Sequence, residues 1–284
     1  MTTTAAASAV AHPAREASRQ DLLLAPCASP QRPGALAASV AFGWRAMLKI
    51  KHEPKQLVDV TAVPALLTLL FTYLFGGALG GSPRHYLTLL VPGTMVMGVT
   101  IVTMYGGARL ADALSTGVFD RFRSLPVWRG AFVAGGLLAD VGRYFLAAGI
   151  VATLGVAIGY RPDGGAPGVL AAMALVVAFG VSLSWVWTIV ALLILDSATV
   201  MSLASIVVFP LTFASNVFVS ARTMPGWLQA FVAANPVSHL ASAARALMNN
   251  TGGAGGPVIW SLVASGAITV VFAPIALRLY GKRG

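Results

Sequence analysis

The sequence predicts an all-α membrane protein with six transmembrane helices, because its charge is low, its apolar segments are long and its basic residues occupy alternate loops. Of its 284 residues, 57% are hydrophobic and only 10% are charged, whereas a soluble domain carries about 25% charged residues. A chain with so little charge cannot cover a water-facing surface. Part of its surface is therefore expected to face lipid.

Six apolar segments are long enough, or nearly long enough, to cross a membrane. A membrane-spanning helix needs about 20 mainly apolar residues, and none of the six segments contains Asp, Glu, Lys, Arg or His. The third segment is short and is expected to take its first turns from residues 131–142. The predicted spans are Val60–Ala78, Tyr86–Tyr105, Tyr144–Tyr160, Val169–Leu195, Val200–Val219 and Val258–Leu277.

Basic residues orient these spans. If both termini are cytosolic, all but four of the 19 Lys and Arg residues lie on the cytosolic side, the exceptions being Arg84, Arg161, Arg222 and Arg245. The positive-inside rule favours this arrangement. The same distribution argues against nucleic-acid binding despite the net charge of +10, because the charges lie in short segments between apolar runs. We expect a multi-pass protein of the bacterial inner membrane with cytosolic termini.

The N-terminal region differs from the rest of the chain. Residues 1–35 are rich in Pro and Ala and lack the apolar core of about 7–15 residues that a secretory signal needs, so they predict a disordered cytosolic leader. Residues 36–284 form the membrane domain. Leu36–Lys55 combines apolar and basic residues and is interpreted either as an interfacial helix or as a basic flank that fixes topology. The lone Cys27 excludes an internal disulfide.

The outer loop Ser220–Pro257 is much longer than a tight connection requires. It carries two apolar patches, Trp227–Ala234 and Leu240–Met248, separated by Asn235-Pro236. Proline breaks a helix. We therefore predict two short re-entrant helices that dip into the outer face of the membrane.

No catalytic constellation is present in the sequence. There is no Gly-rich loop ending in Gly-Lys-Ser/Thr, so no usual phosphate-binding loop. The four histidines lack the spacing of metal ligands, and no metal site is expected. The spans offer no buried proton or ion relay, since Asp59, Asp140, Arg143 and Asp196 are expected near helix ends. We predict that the chain is not an enzyme and that any transport energy comes from another subunit.

The cytosolic loop Gly106–Arg143 is where such a subunit is expected to bind. The segment Asp112–Pro126 alternates charged residues with side chains too apolar for a solvated loop, as a protein-docking element requires. An amphipathic helix on lipid head groups explains the same pattern. The residues alone leave both interpretations open.

Several motifs together resemble a known family. They are Phe119-Asp-Arg-Phe-Arg-Ser-Leu-Pro126, Gly76-Gly-Ala-Leu-Gly-Gly-Ser82, Leu90-Val-Pro-Gly93, Phe209-Pro-Leu-Thr-Phe-Ala-Ser215, Thr223-Met-Pro-Gly-Trp-Leu-Gln229 and Asn235-Pro-Val-Ser238. Taken in their order along the chain, from about Leu36 to the C-terminus, they resemble type-2 ABC export permeases of the daunorubicin/doxorubicin-resistance branch. The resemblance implies a transmembrane permease domain that exports amphipathic drugs such as anthracyclines, or lipids.

The resemblance also implies partners and site residues. Two permeases, identical or homologous, would work in membrane lipid with two cytosolic ATP-binding cassette subunits. ATP and Mg would bind those subunits, and this chain would hold no cofactor. The cytosolic coupling helix would comprise Leu114, Phe119, Asp120, Arg121, Phe122, Arg123, Leu125 and Pro126. The outer gate would comprise Met224, Pro225, Trp227, Phe231, Asn235 and Pro236.

Soft, polarizable side chains in the spans are candidates for contact with a planar drug. They are Phe71, Tyr73, Met97, Met104, Phe209 and Phe213. Lipid contact or packing within the bundle explains each of them as well. Two other functions stay open: a polysaccharide or glycolipid exporter of the same architecture, and a membrane-embedded enzyme or scaffold. The charge-free spans argue against the last of these.

Overall fold

A computed structural model describes residues 54–80, 83–116, 131–219 and 223–283, and these residues form α-helices and no β-strand. The helices are α1 Pro54–Gly80, α2 Pro83–Ser115, α3 Ala131–Ala157, α4 Gly165–Ile194, α5 Ser197–Phe213, α6 Gly226–Ala234, α7 Pro236–Met248 and α8 Gly255–Arg283. The all-α prediction is confirmed for these ranges. The predicted leader and the interfacial helix up to residue 53 lie outside the described residues.

A helix lies at each of the six predicted spans. Four are long and apolar enough to cross a membrane: His85–Ser115, Ala134–Ala157, Gly165–Ile194 and Gly255–Gly281. At the other two positions the apolar helices are shorter, Ala62–Leu74 and Ser197–Phe213. The third helix begins at Ala131, which supplies the extra turns that the short apolar segment requires.

Helix α2 forms the centre of the bundle. Every residue from Leu90 to Met104 is buried, and the helix packs against α1, α3, α4, α5 and α7. Its 33 residues make a rod of about 50 Å, longer than the roughly 30 Å hydrocarbon layer. One end of α2 therefore projects beyond that layer.

The peripheral helices turn apolar side chains outward. On α8, which packs against α4 and α7, Ile259, Val263 and Val270 are 62%, 63% and 74% exposed. On α1 and α5, Leu66 and Ile206 are exposed in the same way. Such large apolar surfaces on a single chain require lipid or another protein as their neighbour.

Helix α5 is capped at its start and ends early. The Asp196 carboxylate accepts a hydrogen bond from the Thr199 hydroxyl and one from the Thr199 backbone N–H at 2.8 Å. These two bonds lower the pKa of Asp196. The predicted span Val200–Val219 is wrong over its last six residues, because α5 ends at Phe213. Proline at 210 removes one helical hydrogen bond, and the backbone of residues 214–219 bends.

The outer loop contains the two predicted short helices. Helix α6 begins one residue before the predicted patch. Helix α7 begins at Pro236, four residues earlier than the predicted Leu240. The Asn235 side chain caps it by accepting from the Val237 N–H at 2.9 Å, and proline is well suited to the first helical position.

Candidate functional site

Non-helical backbone lies inside the bundle directly after α5. Within residues 214–219, Ser215, Val217 and Phe218 are buried at 1%, 0% and 5% exposure. Irregular backbone is tolerated at membrane depth only where it is enclosed by protein or lines a cavity. Its carbonyl groups therefore need partners from elsewhere in the chain.

A polar stripe on α7 supplies most of those partners. We define it as Asn235, Ser238, Ser242, Arg245 and Asn249. Their spacing of three and four residues places them on one helical face. The opposite face is apolar, and Val237, Leu240 and Ala244 have no exposed surface. Helix α7 is thus packed on both faces.

Asn235 joins the end of α5 to the start of α7. Its Nδ2 donates to the Leu211 carbonyl at 2.7 Å and to the Ala214 carbonyl at 3.1 Å. These are two of the carbonyls that the end of a helix leaves without internal partners. The predicted gate residue Asn235 is therefore a buried structural connection, at 3% exposure.

Arg245 holds the non-helical segment against the start of α2. Its Nε donates to the Leu89 carbonyl at 2.9 Å, and its Nη2 donates to the carbonyls of Asn216 and Val217 at 2.5 and 2.9 Å. Among the residues that the structure describes, it pairs with no carboxylate. Burial lowers the pKa of Arg245 to about 10, so the side chain stays charged at neutral pH.

The end of the stripe is tied to two further elements. Asn249 Nδ2 donates to the Thr88 carbonyl at 2.8 Å, and the Tyr160 hydroxyl donates to Asn249 Oδ1 at 2.6 Å. The Tyr86 hydroxyl donates to the Phe218 carbonyl at 2.9 Å. Residues 214–219, α7 and the adjoining ends of these neighbours form one bonded unit. We call it the outer closure, because α7 lies in the predicted outer loop.

Glycines permit this close packing. A Cβ at Gly93 would lie 2.5 Å from the Val217 carbonyl oxygen, and one at Gly168 would lie 2.4 Å from the Leu247 carbonyl oxygen. Side chains do not approach backbone oxygen this closely, so only glycine fits without displacement.

Two buried polar atoms of the outer closure have no hydrogen-bond partner, Asn216 Oδ1 and Ser238 Oγ. Nearly all buried polar groups in folded proteins are paired. The outer closure therefore has many hydrogen bonds, but not all of its buried polar atoms take part in one.

Three of the six candidate pathway residues come together in an aromatic row. Phe71 stacks on Phe218 with ring centroids 4.3 Å apart, Phe218 lies 5.5 Å from Phe213, and Phe213 lies 6.1 Å from Phe209. Phe209 and Phe213 are 46% and 47% exposed. The row thus begins in the bundle interior and ends on its surface.

The other three candidate pathway residues are placed apart from this row. Tyr73 is 72% exposed. Met97 and Met104 lie in the hydrophobic core at 1% exposure. In this conformation both methionines contact only the packed interior, whereas the row presents aromatic surface outward.

The predicted gate residues on and before α6 lie at the surface. Trp227 and Phe231 are 74% and 43% exposed and share one helical face. Pro225 precedes the helix, and Met224 accepts a bond from Gln229 Nε2 at 2.8 Å through its carbonyl. Pro236 opens α7. Trp227 and Phe231 therefore form an exposed apolar pair.

Of the predicted coupling residues, the structure describes only Leu114. It lies near the end of α2 and packs against a small cluster that includes Leu192 and Tyr280. The other seven coupling residues, 119–123, 125 and 126, lie outside the described residues.

An ion cluster lies between α2 and α3. Asp140 Oδ1 accepts from Arg109 Nη2 at 2.6 Å and from Arg143 Nη1 at 2.5 Å. The expectation that Asp140 and Arg143 lie near helix ends is wrong, because α3 begins nine residues before Asp140. Both residues are buried, at 7% and 8% exposure.

Sequence reasoning missed the residues that make the outer closure and the ion cluster. Arg245 was counted only as a basic residue of an outer loop, and Phe218 was placed within a span. One signal was available for the closure: the three-and-four spacing of polar residues from Asn235 to Asn249, in a segment that is apolar at its other positions except His239.

Comparison with known proteins identifies the family to which the chain belongs. Residues 38–249 match the family described as the ABC-2 type transporter. The chain belongs to this family. It is a membrane permease component of an ABC transporter, with an ATP-binding subunit as its partner, rather than an enzyme.

Two individual relatives show which members of the family the chain resembles. The chain is 44% identical over 258 residues, 89% of each chain, to the daunorubicin resistance ABC transporter permease protein DrrB1 of Streptomyces coeruleorubidus. It is 28% identical over 190 residues, 66% of this chain and 67% of the relative, to the probable doxorubicin resistance ABC transporter permease protein DrrC of Mycobacterium tuberculosis H37Rv. The family resemblance drawn from the sequence motifs is confirmed.

Proposed function

We propose that the chain is the transmembrane subunit of an ATP-driven exporter of amphipathic drugs of the daunorubicin class. The observation that carries this proposal is the 44% identity to the daunorubicin resistance permease over 89% of both chains. The aromatic row supports the same substrate class, because flat aromatic surfaces stack on aromatic side chains.

The proposed assembly contains two permeases and two ATP-binding subunits, with ATP and Mg bound to the latter. Each permease crosses the bacterial inner membrane six times and keeps both termini in the cytosol. The distribution of basic residues supports this topology. Reporter fusions after Gly252 and Gly284 should report opposite sides of the membrane, and fusions that report one side would contradict the six-span count.

The segment Asp112–Pro126 is the proposed contact for the ATP-binding subunit. Aromatic anchors usually dominate an interface. Replacing Phe119 and Phe122 together with Ala should therefore abolish retention of the ATP-binding subunit while membrane insertion stays normal. The matched control is Phe145→Ala, since Phe145 is an aromatic residue that is 42% exposed on α3. Unchanged retention in the double variant would assign this segment to lipid head groups instead.

The outer closure is the proposed exit barrier. Its side-chain bonds join α2, α5, α7 and the bent segment after α5, so these bonds would have to rearrange for the exit to open. Trp227 and Phe231 lie on α6, next to this closure along the chain, and are the proposed wedge that stabilises the closed state.

The decisive experiment is co-purification with the ATP-binding subunit, followed by an assay of ATP hydrolysis in proteoliposomes. Daunorubicin should stimulate hydrolysis, and a hydrophilic sugar of similar mass should not. Stimulation by an oligosaccharide alone would assign the chain to polysaccharide export. No stimulation by daunorubicin, with the complex intact, would refute the drug substrate.

A further inference from the structure

The ion cluster between α2 and α3 is unusual because it contains two guanidinium groups and one carboxylate. The side chains of Asp140 and Arg143 are only 11% and 10% exposed, and that of Arg109 is 30% exposed. Burying charge is costly unless it is paired, and buried ion pairs add little to stability compared with apolar packing. Such a cluster is better explained by a need to fix geometry.

The bond between Arg109 and Asp140 is part of a triangle of helix contacts. It joins α2 to α3. One residue beyond Arg143, the hydroxyl of Tyr144 shares a hydrogen bond of 2.6 Å with the hydroxyl of Ser184, joining α3 to α4. Trp187 Nε1 donates to Thr103 Oγ1 at 3.0 Å, joining α4 to α2. Each helix of the three is bonded to the other two.

Glycines bring the three helices into close contact at this level. A Cβ at Gly106 would lie 2.9 Å from Asp140 Oδ2, and one at Gly107 would lie 2.7 Å from the Trp187 Cβ. A Cβ at Gly180 would lie 2.9 Å from Val99 Cγ1. The side-chain bonds are therefore made between closely packed backbones, and they link the three helices at this level.

The bond between Arg109 and Asp140 lies close in sequence to the predicted cytosolic segment between α2 and α3. Arg109 lies six residues before Ser115, where α2 ends, and Asp140 lies nine residues after Ala131, where α3 begins. Most of the proposed contact for the ATP-binding subunit, Asp112–Pro126, lies between these two ends. A force on that segment would reach the membrane domain through α2 and α3.

We propose that Asp140 is a positioning residue that locks α2 to α3, so that movement of the cytosolic segment displaces α2, α3 and α4 as one body. This inference rests on the proposed function, because it assumes that an ATP-driven movement enters through Asp112–Pro126. Fixing the register between helices is the best-attested role of a buried polar group shared between them. Without the lock, the movement would be absorbed between the helices.

Two variants separate the lock from the general stability of the cluster. Arg109→Gln removes the bond between helices and leaves Asp140 paired with Arg143. Arg143→Gln removes the bond within α3 and leaves the link between α2 and α3 intact. Both replace one guanidinium with a neutral amide and keep Asp140 paired, so they are matched for charge and for polar character.

The first measurement is daunorubicin transported per ATP hydrolysed in proteoliposomes of the full complex. Arg109→Gln should keep ATP hydrolysis and lower the transport ratio by about fivefold or more, the lower range of typical coupling between sites. Arg143→Gln should keep the ratio near the wild-type value. Equal losses in both variants, or no loss in Arg109→Gln, would overturn the role of Asp140.

The second measurement does not depend on the substrate. Spin labels at Ser115→Cys on α2 and Gly136→Cys on α3, in a Cys27→Ser background, report the distance between the helix ends in the complex. Both positions are exposed, and no atom outside the local backbone lies within 4 Å of a Cβ at Gly136. Because Ser115 lies in the proposed contact Asp112–Pro126, the labelled permease must retain the ATP-binding subunit as well as the unlabelled one does. In Arg143→Gln, the distribution of distances between the two labels should stay narrow with and without a non-hydrolysable ATP analogue. In Arg109→Gln, the distribution should broaden when the analogue is added.

An unchanged distribution in Arg109→Gln would overturn the inference. If wild-type complexes transport no daunorubicin, the proposed substrate fails, yet the distance measurement still decides whether Asp140 locks the two helices.

Discussion

The Nη2 of Arg245 donates to the backbone carbonyl of Val217 at 2.9 Å, and this bond crosses from α7 to the non-helical segment after α5. The same guanidinium also reaches Leu89 on α2. A single side chain therefore connects three elements of the outer closure.

Replacing Arg245 with Met should destabilise the outer closure. The change keeps an apolar stem of similar length and leaves three backbone carbonyls without their donor, at a cost of about 3 kcal/mol. The measurement is the thermal unfolding temperature of the purified permease in detergent. Arg161→Met is the control, because Arg161 is exposed and lies outside the closure. Equal unfolding temperatures for both variants would contradict the importance of the Arg245 bonds.

Replacing Gly93 with Ala should displace the backbone at Val217. The added Cβ would lie 2.5 Å from the Val217 oxygen, and overpacking of this kind costs about 1–3 kcal/mol. Gly149→Ala is the matched control within a helix, since its nearest neighbour would be the end of Met173 at 3.7 Å. The thermal unfolding temperature of the control should be unchanged or slightly higher, because alanine favours helix more than glycine does. That of Gly93→Ala should be lower. If both variants unfold alike, the close approach at Gly93 is not limiting.

The positions of the helices could be predicted from the sequence because a span is encoded directly by apolar length. Their ends could not be predicted equally well. The early end of α5 at Phe213 depends on donors from Asn235 and Arg245, which are distant in sequence. With those donors present, residues 214–219 can leave the helix without leaving buried carbonyls unpaired.

The sequence pattern also did not predict that Asp140 and Arg143 are buried. Charged residues near an apolar run are expected at its ends, so Asp140 and Arg143 were placed at a boundary. The partner that makes their burial possible, Arg109, lies 31 residues from Asp140. Pairing between helices at that separation depends on packing, which periodicity in one sequence does not reveal.

For the candidate pathway, the sequence predicted which types of residue take part better than it predicted where they lie. Phe71, Phe209 and Phe213 were selected for their polarizable rings, and they do lie in one row. The residue that connects them, Phe218, lies in the bent segment. Met97 was selected on the same chemical ground and is buried in the core. Side-chain chemistry therefore identified candidates, whereas helix rotation decided which of them face outward.

Replacing Phe218 with Leu should weaken daunorubicin binding. The variant stays apolar and loses the stacking with Phe71 and Phe213, which reduces affinity by about three- to tenfold if the row contacts the drug. Quenching of daunorubicin fluorescence by the purified permease measures this. Phe179→Leu is the control, because Phe179 is buried at 2% exposure in α4 and belongs to the core. Equal affinities in both variants would separate the row from the drug site.

Replacing Trp227 and Phe231 together with Ala should loosen the closed state of the exit. Their exposed rings share one face of α6, and Trp favours the membrane interface, where its ring is buried and its N–H stays hydrated. Daunorubicin transported per ATP hydrolysed should fall by about tenfold, within the range of typical coupling energies, while hydrolysis and retention of the ATP-binding subunit persist. A docking defect would instead lose that retention.

The matched control for this pair is Ile259→Ala with Val263→Ala on α8. These two side chains are also four residues apart, and they are 62% and 63% exposed, so the control removes a comparable apolar pair from the surface. Its transport ratio should stay at the wild-type value when expression is matched. If the Trp227 and Phe231 variant transports as well as this control, the pair anchors α6 in the membrane and the exit barrier depends on the polar stripe of α7 alone.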